Sequence, residues 1–300
     1  MVDTFLHGCH LSISAGFPEA IEAAASLGAT ALQLFSHAPS RWAMKPISPE
    51  SVKAFRSARK RFGLRHVVVH AGYLPNLGSP DAALHARSIA SMLEELERAA
   101  ALGADALVTH LGAHRGAGRA RGIARVAAAV HQVTDAAAFR EASVALLLEN
   151  AAGAGTSLGH TFEEMGEILA QLTDERRIGV CLDTCHAFAA GYDLRHATAV
   201  ADTLDTLDRA LGIDRLRLVH LNDAKHPLAS RRDRHEHIGS GEIGEQGFAA
   251  ILRHPALRGL PVILETPKEG PGDAADRRNL ATIRRLRNAP PDRAKAGAAE

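Results

Sequence analysis

Short apolar runs rich in Val, Ile and Leu alternate along the 300-residue chain with longer Ala-rich segments of helical period. The short runs are typical of strands buried in a parallel sheet, and the long segments are typical of the helices that cover such a sheet. The pattern predicts eight strands, at residues 6–12, 31–35, 66–70, 106–110, 144–150, 178–185, 216–223 and 261–266. It predicts helices between them, including residues 19–27, 50–62, 81–102, 162–172, 197–211 and 246–252.

Residues at the helix ends support these boundaries. Ser48 and Thr161 precede predicted helices, and both residue types cap helix N-termini with a side-chain oxygen. Glycines stand where a left-handed residue is expected to end a helix, at Gly28, Gly63, Gly103 and Gly212. The predicted helices therefore have both a start and a stop signal.

The eight strand–helix pairs follow one another without a Pro-, Gly- or Ser-rich linker between halves. This favours one closed (β/α)₈ TIM barrel of the α/β class over two doubly wound sheets. We therefore predict a single domain over residues 1–288. Residues 289–300 are rich in Pro, Ala and charge and show no apolar period, which predicts a flexible C-terminal tail.

The composition narrows the class of protein and directs attention to metals. A hydrophobic share of 46% and a charged share of 23% are those of a soluble globular protein, which excludes disorder and fibres. The 35 Lys and Arg residues nearly balance the 34 Asp and Glu residues, so the formal net charge of +1 does not by itself indicate a nucleic-acid binder. The 17 His residues outnumber the 9 Phe, 2 Tyr and 1 Trp together, and His is the commonest metal ligand.

The cysteines and the N-terminal residues bear on location. Cys9, Cys181 and Cys185 form no C-x-x-C pair and no disulfide framework, which is typical of a reducing cytosol. The N-terminal residues lack the cationic and apolar regions of a signal peptide, and no run reaches 18 apolar residues. We expect a cytoplasmic protein with no membrane partner.

Six consecutive predicted strands end in a side chain that can bind a metal ion. These residues are His70, His110, Glu149, Asp183, His220 and Glu265, one every 34 to 45 residues. Because one strand–helix unit separates each from the next, all six would meet at the C-terminal mouth of a barrel, where the active sites of this fold lie. Strand-end polarity alone would give Asn, Ser, Gly and Lys as often as His and carboxylates.

Three further residues extend this set. His186 lies three positions after Asp183 on the same predicted loop, and Asp233 and His235 follow the seventh strand. Nine ligands exceed the three or four that a single catalytic zinc takes, so the chain predicts more than one metal ion. Imidazole and carboxylate without Cys suit Zn²⁺, and Mn²⁺ or Fe²⁺ could substitute. We expect structural roles for Cys181 and Cys185, which flank Asp183, and Cys181 would lie one layer deeper than Asp183 on the same strand face.

Several segments of the chain resemble the signature blocks of one family. The longest are GVCLDTCHAFAAGYDLR at residues 179–195, HLNDAK at 220–225 and DRHEHIG at 233–239. Shorter blocks lie at residues 8–12, 73–78, 148–150, 157–159 and 264–267, so the likeness covers most of the chain. These blocks resemble the endonuclease IV family of apurinic/apyrimidinic (AP) endonucleases, also called deoxyribonuclease IV.

The resemblance implies a (β/α)₈ barrel with three Zn²⁺ per chain. Such an enzyme hydrolyses the phosphodiester 5′ to an abasic site in double-stranded DNA, leaves a 3′-hydroxyl and serves base excision repair. Carried over by position, one zinc would take His70, His110 and Glu149, a second would share Glu149 and take Asp183, His220 and Glu265, and the third would take His186, Asp233 and His235. We expect a monomer that is associated with the nucleoid when it acts on DNA.

The same resemblance implies the chemistry. Two zinc ions that share Glu149 would hold a bridging hydroxide as the nucleophile, because a bound dication lowers the pKa of water to about 7. Glu265 would help to orient or deprotonate the attacking water in addition to its role as a ligand. Glu149 and Glu265 are therefore the expected catalytic residues. Three dications would also add about six positive charges at the mouth, which the formal charge of the chain does not reveal.

The resemblance also implies DNA contacts. Tyr73 and Leu74 match a loop that inserts near the damaged site, and such wedges lower the cost of holding an unstacked nucleotide. The loop after the second strand departs from the family pattern Asn-x-Arg, because Ser40 stands at the usual Arg position and Arg41 follows it. Either Arg41 fills that position or the contact is lost.

Basic residues after the fourth and seventh strands are further candidates for contacts with phosphates. They are Arg115, Arg119, Arg121 and Arg125 in the first segment and Lys225, Arg231, Arg232 and Arg234 in the second. Both segments would lie on the mouth side of the barrel. Together they predict a track along which the DNA backbone could bind.

Two alternatives stay open at this point. A single-metal sugar isomerase or epimerase of the xylose-isomerase-like barrels would use Glu149, Asp183, His220 and Glu265. It would leave five residues without a role, namely His70, His110, His186, Asp233 and His235. A non-catalytic binder of damaged DNA would not need all nine ligand positions filled. The sequence has no G-x-S-x-G elbow, P-loop or dinucleotide fingerprint, so covalent serine chemistry and nucleotide binding are not indicated.

Metal analysis of the purified protein separates the nuclease from the sugar enzyme. We expect about three zinc-type ions per chain, because nine ligands fill three sites of three to four ligands each. Inductively coupled plasma mass spectrometry with a protein assay measures this ratio. One ion per chain would favour the sugar isomerase or epimerase instead.

Overall fold

The computed structural model describes residues 5–172, 177–270 and 272–289. Within these ranges eight parallel strands close into a barrel. They are β1 (His7–His10), β2 (Ala31–Phe35), β3 (His66–His70), β4 (Ala106–His110), β5 (Ala145–Glu149), β6 (Ile178–Asp183), β7 (Leu216–His220) and β10 (Val262–Leu264). Each barrel strand pairs with the strands before and after it in the chain, and β10 pairs with β1 to close the ring. The predicted (β/α)₈ barrel is therefore confirmed.

Helices on the outside connect these strands. They are α1 (Phe17–Ser26), α2 (Pro49–Phe62), α3 (Ala82–Leu102), α4 (Arg119–Asp135), α5 (Ala137–Glu141), α6 (Phe162–Leu169), α7 (Thr184–Ala190), α8 (Ala197–Leu211), α9 (Gly244–Arg253) and α10 (Ala274–Asn288). A short antiparallel pair, β8 (Asp223–Ala224) and β9 (His235–Glu236), lies between β7 and α9. This pair shapes the long connection that carries two of the predicted metal ligands.

The predicted capping residues form the predicted caps. The Ser48 hydroxyl accepts a hydrogen bond from the Ser51 amide before α2, and the Thr161 hydroxyl accepts one from the Glu164 amide before α6. Gly63 and Gly103 end α2 and α3 in the left-handed conformation, with φ of 67° and 70°. These positions need glycine because a Cβ is unfavourable at such φ.

The predicted strand at residues 178–185 is too long, because its last residues begin a helix. Asp183 ends β6 and caps α7, since its Oδ1 accepts a hydrogen bond from the His186 amide at 2.7 Å. His186 therefore lies in the first turn of α7 rather than on a loop. The capping interaction places these two predicted ligands side by side.

The predicted strands at residues 216–223 and 261–266 are also shorter in the structure. Strand β7 ends at His220. Beyond it, the Thr184 hydroxyl donates a hydrogen bond to the Asn222 carbonyl and accepts one from the Asn222 amide, so a side chain replaces the neighbouring strand as the partner. Strand β10 ends at Leu264, so Glu265 lies one residue beyond it. Glu265 therefore lies at the rim of the barrel, and this position is still at its mouth.

Two apolar layers hold the barrel together. The larger lies between the strands and the outer helices, and the smaller fills the barrel interior with residues that include Ala31, Val68, Val108, Leu147 and Cys181. Close packing also depends on Gly8, since a Cβ at this position of β1 would lie 1.8 Å from the Ala31 carbonyl oxygen. The interior layer forms the floor of the site described next.

Two further predictions concern membrane-spanning segments and the C-terminal tail. No helix among the described residues is long and apolar enough to cross a membrane. The predicted C-terminal tail, apart from Ala289, lies outside the described residues.

Candidate metal centre

A ring of polar side chains lies directly above the apolar floor of the barrel. Because side chains alternate along a strand, the residue two positions after each floor residue also points inward. Seven floor residues (Ala31, Val68, Val108, Leu147, Cys181, Leu218 and Ile263) are followed in this way by Gln33, His70, His110, Glu149, Asp183, His220 and Glu265. The structure therefore brings the six predicted strand-end residues into one ring at the mouth of the barrel.

Glu149 lies at the centre of this ring and is almost completely buried. Its Oε2 lies 3.0 Å from His70 Nε2 and 3.4 Å from His110 Nδ1. Its Oε1 lies 2.9 Å from His220 Nδ1 and 3.5 Å from His186 Nδ1. One carboxylate thus faces four imidazole rings, a position from which it could bridge two metal ions.

The charges of the ring perturb one another strongly. Burial alone would raise the pKa of Glu149, but the imidazoles of His110 and His220 hold it well below its ordinary value. Burial is likewise outweighed at Glu265, where the imidazoles of His220 and His10 lower the pKa of the carboxyl. Both carboxylates are therefore ionised at neutral pH and available to a cation.

Backbone carbonyls orient three of the imidazoles. His70 Nδ1 donates to the Ala71 carbonyl at 2.8 Å, and His186 Nδ1 donates to the Asn150 carbonyl at 2.9 Å. His235 Nδ1 donates to the Glu265 carbonyl, also at 2.9 Å. Such bonds fix the tautomer and direct the lone pair of Nε2 toward a ligand.

His235 provides an independent indication that a cation binds here. Its Nε2 is buried and has no hydrogen-bond partner among the described residues, although carboxylate oxygens of Asp183 and Asp233 lie 3.6 and 3.5 Å away. A buried nitrogen without a partner is rare in native proteins unless an ion or water binds it. An imidazole and two carboxylates around one point suit a divalent cation.

Ligand atoms that lie within 4.8 Å of one another form several sets around the ring. These sets are His70 with His110 and Glu149; Glu149 with Asp183, His220 and Glu265; His70 with His220 and Glu265; Asp183 with His186 and His235; and Cys185 with Asp233 and His235. The first two coincide with the predicted first and second zinc sites. These clusters could hold metal ions.

The structure also brings together the three residues predicted to hold the third zinc, and Asp183 lies close to them. His186 Nε2 lies 3.2 Å from Asp233 Oδ1, and His235 Nε2 lies 3.5 Å from the same oxygen. Asp183 also reaches this group, so it stands between the second and third sets. Cys185 lies near by, but burial raises the pKa of its thiol, so the protonated thiol is a poor ligand.

The structure also places residues at the site to which the sequence analysis assigned no role. A cavity of about 280 Å³ opens above the ring, and His10, Phe35 and Lys268 line it together with six of the predicted ligands. Gln33 lies beneath them, fully buried. Strand alternation could have revealed Gln33, because a polar residue between Ala31 and Phe35 points into the barrel.

Tyr73 stands on the wall of this cavity, where its side chain is 64% exposed. Its ring packs edge-on against Phe35, with ring centroids 5.2 Å apart, and Leu74 beside it is half-buried. A large exposed ring on a fixed backbone is suited to stacking against a ligand. The predicted wedge therefore faces the predicted metal site.

A buried network ties the loops after β2 and β3 to helix α3. Glu95 accepts hydrogen bonds from the Ser36 hydroxyl at 2.6 Å and the Gly72 amide at 3.1 Å, and it lies 2.8 Å from His37 Nε2. The Tyr73 amide in turn donates to the Pro39 carbonyl at 2.8 Å. The two loops that carry the proposed DNA-contacting residues are thus held as one unit.

The predicted basic contacts lie outside the cavity lining. Arg41, Arg115, Lys225, Arg231 and Arg234 are all exposed. Lys225 Nζ lies 3.9 Å from a Glu236 oxygen. These exposed cations could meet phosphates around the mouth.

The segment after β4 differs from the prediction. Arg119, Arg121 and Arg125 belong to α4 rather than to a loop. Arg119 forms a two-pronged ion pair with Glu167 on α6, with distances near 3 Å. This exposed ion pair connects neighbouring helices.

Comparison with known proteins first defines the class. A family model described as a xylose isomerase-like TIM barrel matches residues 21–287. The solved structure of a D-tagatose 3-epimerase-like protein shares the fold, with a TM-score of 0.69 at 20% identity over 93% of this chain and 95% of that chain. The fold and the carboxylate–imidazole ring thus place the chain among the xylose isomerase-like TIM barrels.

More similar relatives define the family within this class. Probable endonuclease 4 of Methanoculleus marisnigri is 47% identical over 95% of this chain and 99% of that protein, and that of Chloroflexus aurantiacus is 43% identical over 93% and 97%. The crystal structure of endonuclease IV from Thermus thermophilus has a TM-score of 0.82 at 40% identity, covering 93% of this chain and 98% of that chain. The chain belongs to the endonuclease 4 family, as the sequence blocks indicated.

The titration of His186 predicts how the stability of the metal-free protein depends on pH. Burial lowers the pKa of this imidazole, but Asp183, Asp233 and Glu149 outweigh burial and raise it from 6.5 to about 10. Because the folded protein holds this proton more tightly, the stabilisation is complete below pH 6.5 and is lost as the pH rises toward 10. We expect the Tm of the metal-free protein to fall across this window in differential scanning calorimetry.

The variant His186→Gln supplies the control for this titration. It cannot gain a proton, so its Tm should fall less than that of the wild type across the same pH window. Equal slopes for the two metal-free proteins would contradict the assignment to His186.

Proposed function

We propose that the protein is a DNA repair endonuclease that hydrolyses the phosphodiester 5′ to abasic sites in duplex DNA and leaves a 3′-hydroxyl. Membership of the endonuclease 4 family makes the protein a nuclease, a hydrolase of phosphodiester bonds. The observation that carries the finer proposal is that nine His, Asp and Glu residues meet at the mouth of the barrel, where six of them line one cavity.

Three zinc ions are the proposed cofactors. The first would be held by His70, His110 and Glu149, the second by Glu149, Asp183, His220 and Glu265, and the third by His186, Asp233 and His235, with Asp183 close to it. When bound, the ions would supply Lewis acidity that activates water at neutral pH and neutralises negative charge on the phosphate. The donor set supports zinc, because imidazole and carboxylate are its usual ligands in catalytic sites.

Glu149 and Glu265 are the proposed catalytic carboxylates. Glu149 is ionised and lies between four imidazoles, so it can serve two ligand sets at once. Glu265 has one oxygen, Oε1, within 2.6 Å of the Gln33 amide, whereas Oε2 lies 3.3 Å from His220 Nδ1. Oε2 is therefore the atom through which Glu265 would bind the second zinc and, from that position, help to orient the attacking water.

Tyr73 and Leu74 are the proposed wedge that holds DNA open at the lesion. An abasic site has lost a base and with it part of its stacking, so a ring placed in the gap meets less resistance there than in intact DNA. The exposed ring of Tyr73 adjoins the ligand cavity, which would bring the abasic deoxyribose next to the metal site. Arg41, Arg115, Lys225, Arg231 and Arg234 are the proposed phosphate contacts, and a monomer the proposed acting form.

The ligand set favours this function over a sugar isomerase or epimerase. The solved epimerases share the fold at 20% identity or less, and a single-metal sugar site needs only the four residues around Glu149 and Glu265. The other five, His70, His110, His186, Asp233 and His235, line the same cavity or join its ligand sets. Such an enlarged set is expected where several ions must contact one phosphate.

The proposal is tested on a labelled duplex that carries one tetrahydrofuran abasic analogue. We expect the wild type to nick this strand once, directly 5′ to the analogue, without added Mg²⁺, and the new end to be extended by a DNA polymerase. Glu149→Ala should abolish nicking, because it removes a ligand that two sites share. Denaturing gel electrophoresis measures the product and its length.

Glu167→Gln is the matched control for Glu149→Ala. This carboxylate pairs with Arg119 on the outside of the barrel, so its loss should leave the rate of nicking unchanged. Nicking by Glu149→Ala at the wild-type rate would sink the proposed mechanism. A wild type that binds zinc and cleaves no abasic duplex would exclude the proposed function.

A further inference from the structure

A single buried amide connects three side chains of the candidate metal centre. Gln33 Nε2 donates to Glu265 Oε1 at 2.6 Å and to His10 Nδ1 at 3.1 Å. Gln33 Oε1 accepts from His220 Nε2 at 2.8 Å. The side chain is fully buried on β2, and water is therefore not available to replace these bonds.

Only one orientation of this amide satisfies all three partners. If the oxygen and nitrogen were exchanged, the amide oxygen would lie 2.6 Å from a carboxylate oxygen of Glu265, with no proton between them. The amide nitrogen would then face His220 Nε2. The neighbours therefore fix the direction of the Gln33 amide, and the amide in turn fixes the hydrogen-bonding state of its neighbours.

The consequences for the two predicted metal ligands follow from this direction. Because His220 Nε2 donates to Gln33, Nδ1 is the atom that this ring turns toward the site, where it lies 2.9 Å from Glu149 and 3.3 Å from Glu265. In the metal-free protein Nδ1 donates its proton to Glu149, and a bound cation would replace that proton. Because Gln33 donates to Glu265 Oε1, that oxygen is engaged and Oε2 is left for a cation. Each ligand thus presents one defined atom to the site.

We propose that Gln33 is a positioning residue for the metal site formed by Glu149, Asp183, His220 and Glu265. It lies below the residues that line the ligand cavity and acts through His220 and Glu265. The role rests on the proposed metal binding and does not depend on which phosphodiester the protein cleaves. His10, which lines the cavity, is oriented by the same amide and keeps its ring proton on Nε2.

The variant Gln33→Met tests this role, because methionine has a similar length and no amide. Outer-shell partners of metal ligands commonly change metal affinity by about 10- to 100-fold when they are removed. We expect Gln33→Met to bind zinc more weakly by a factor of this size in chelator competition, and its Co²⁺-substituted form to show an altered visible absorption spectrum. In Gln33→Asn the shorter side chain cannot reach both His220 and Glu265, so we expect the same loss of zinc affinity. This variant replaces Gln33→Met if Gln33→Met does not fold.

Leu34→Ala is the matched control on the same strand. Leu34 is fully buried on the outer face of β2, so its truncation should lower the Tm and leave the zinc affinity and the Co²⁺ spectrum unchanged. A folded Gln33 variant with wild-type zinc affinity and spectrum would overturn the proposal, as would a wild type that binds no zinc. Nicking by the wild type is measured separately. If the wild type binds zinc with an affinity that depends on Gln33 but cleaves no abasic DNA, the proposed function is refuted and the role of Gln33 stands.

Discussion

Burial of ionised carboxylates inside the barrel is the constraint on which the rest of the structure depends. Glu149 is almost completely removed from solvent, and a buried charge is costly unless an opposite charge compensates it. In the metal-free chain the compensation comes from imidazoles, which explains why the pKa of Glu149 is depressed and that of His186 raised. An arrangement that needs positive charge at its centre is also one that binds cations tightly.

The strand period turns this constraint into a site. Alternating side chains place one apolar layer across the barrel and one polar layer directly above it. On each strand that bears a ligand, the ligand therefore follows the floor residue by two positions. The outer supports then fix the ligands: backbone carbonyls hold His70, His186 and His235, and the Gln33 amide holds His220 and Glu265. Glu95 does the same for the loops that carry Tyr73, so the cavity and its rim are both preorganised.

The sequence predicted the barrel and the convergence of its strand-end residues because both follow from periodicity, which is a local property. It predicted that the sixth strand runs to residue 185, whereas the capping bond of Asp183 starts a helix at Thr184. It assigned no role to Gln33: strand alternation places this side chain inside the barrel, but its role depends on partners far away in the chain, at His220 and Glu265. The ion pair of Arg119 with Glu167 was not predicted for a similar reason, since Glu167 lies on another helix.

The proposed cofactors are three ions held by one ring of side chains around a single cavity. Anomalous diffraction at the zinc edge, from crystals of the zinc-loaded protein, would locate them. We expect three peaks at the mouth of the barrel: one beside His70 and His110, one beside His220 and Glu265, and one beside His186 and His235. A single peak, confined to the set of Glu149, Asp183, His220 and Glu265, would contradict this expectation.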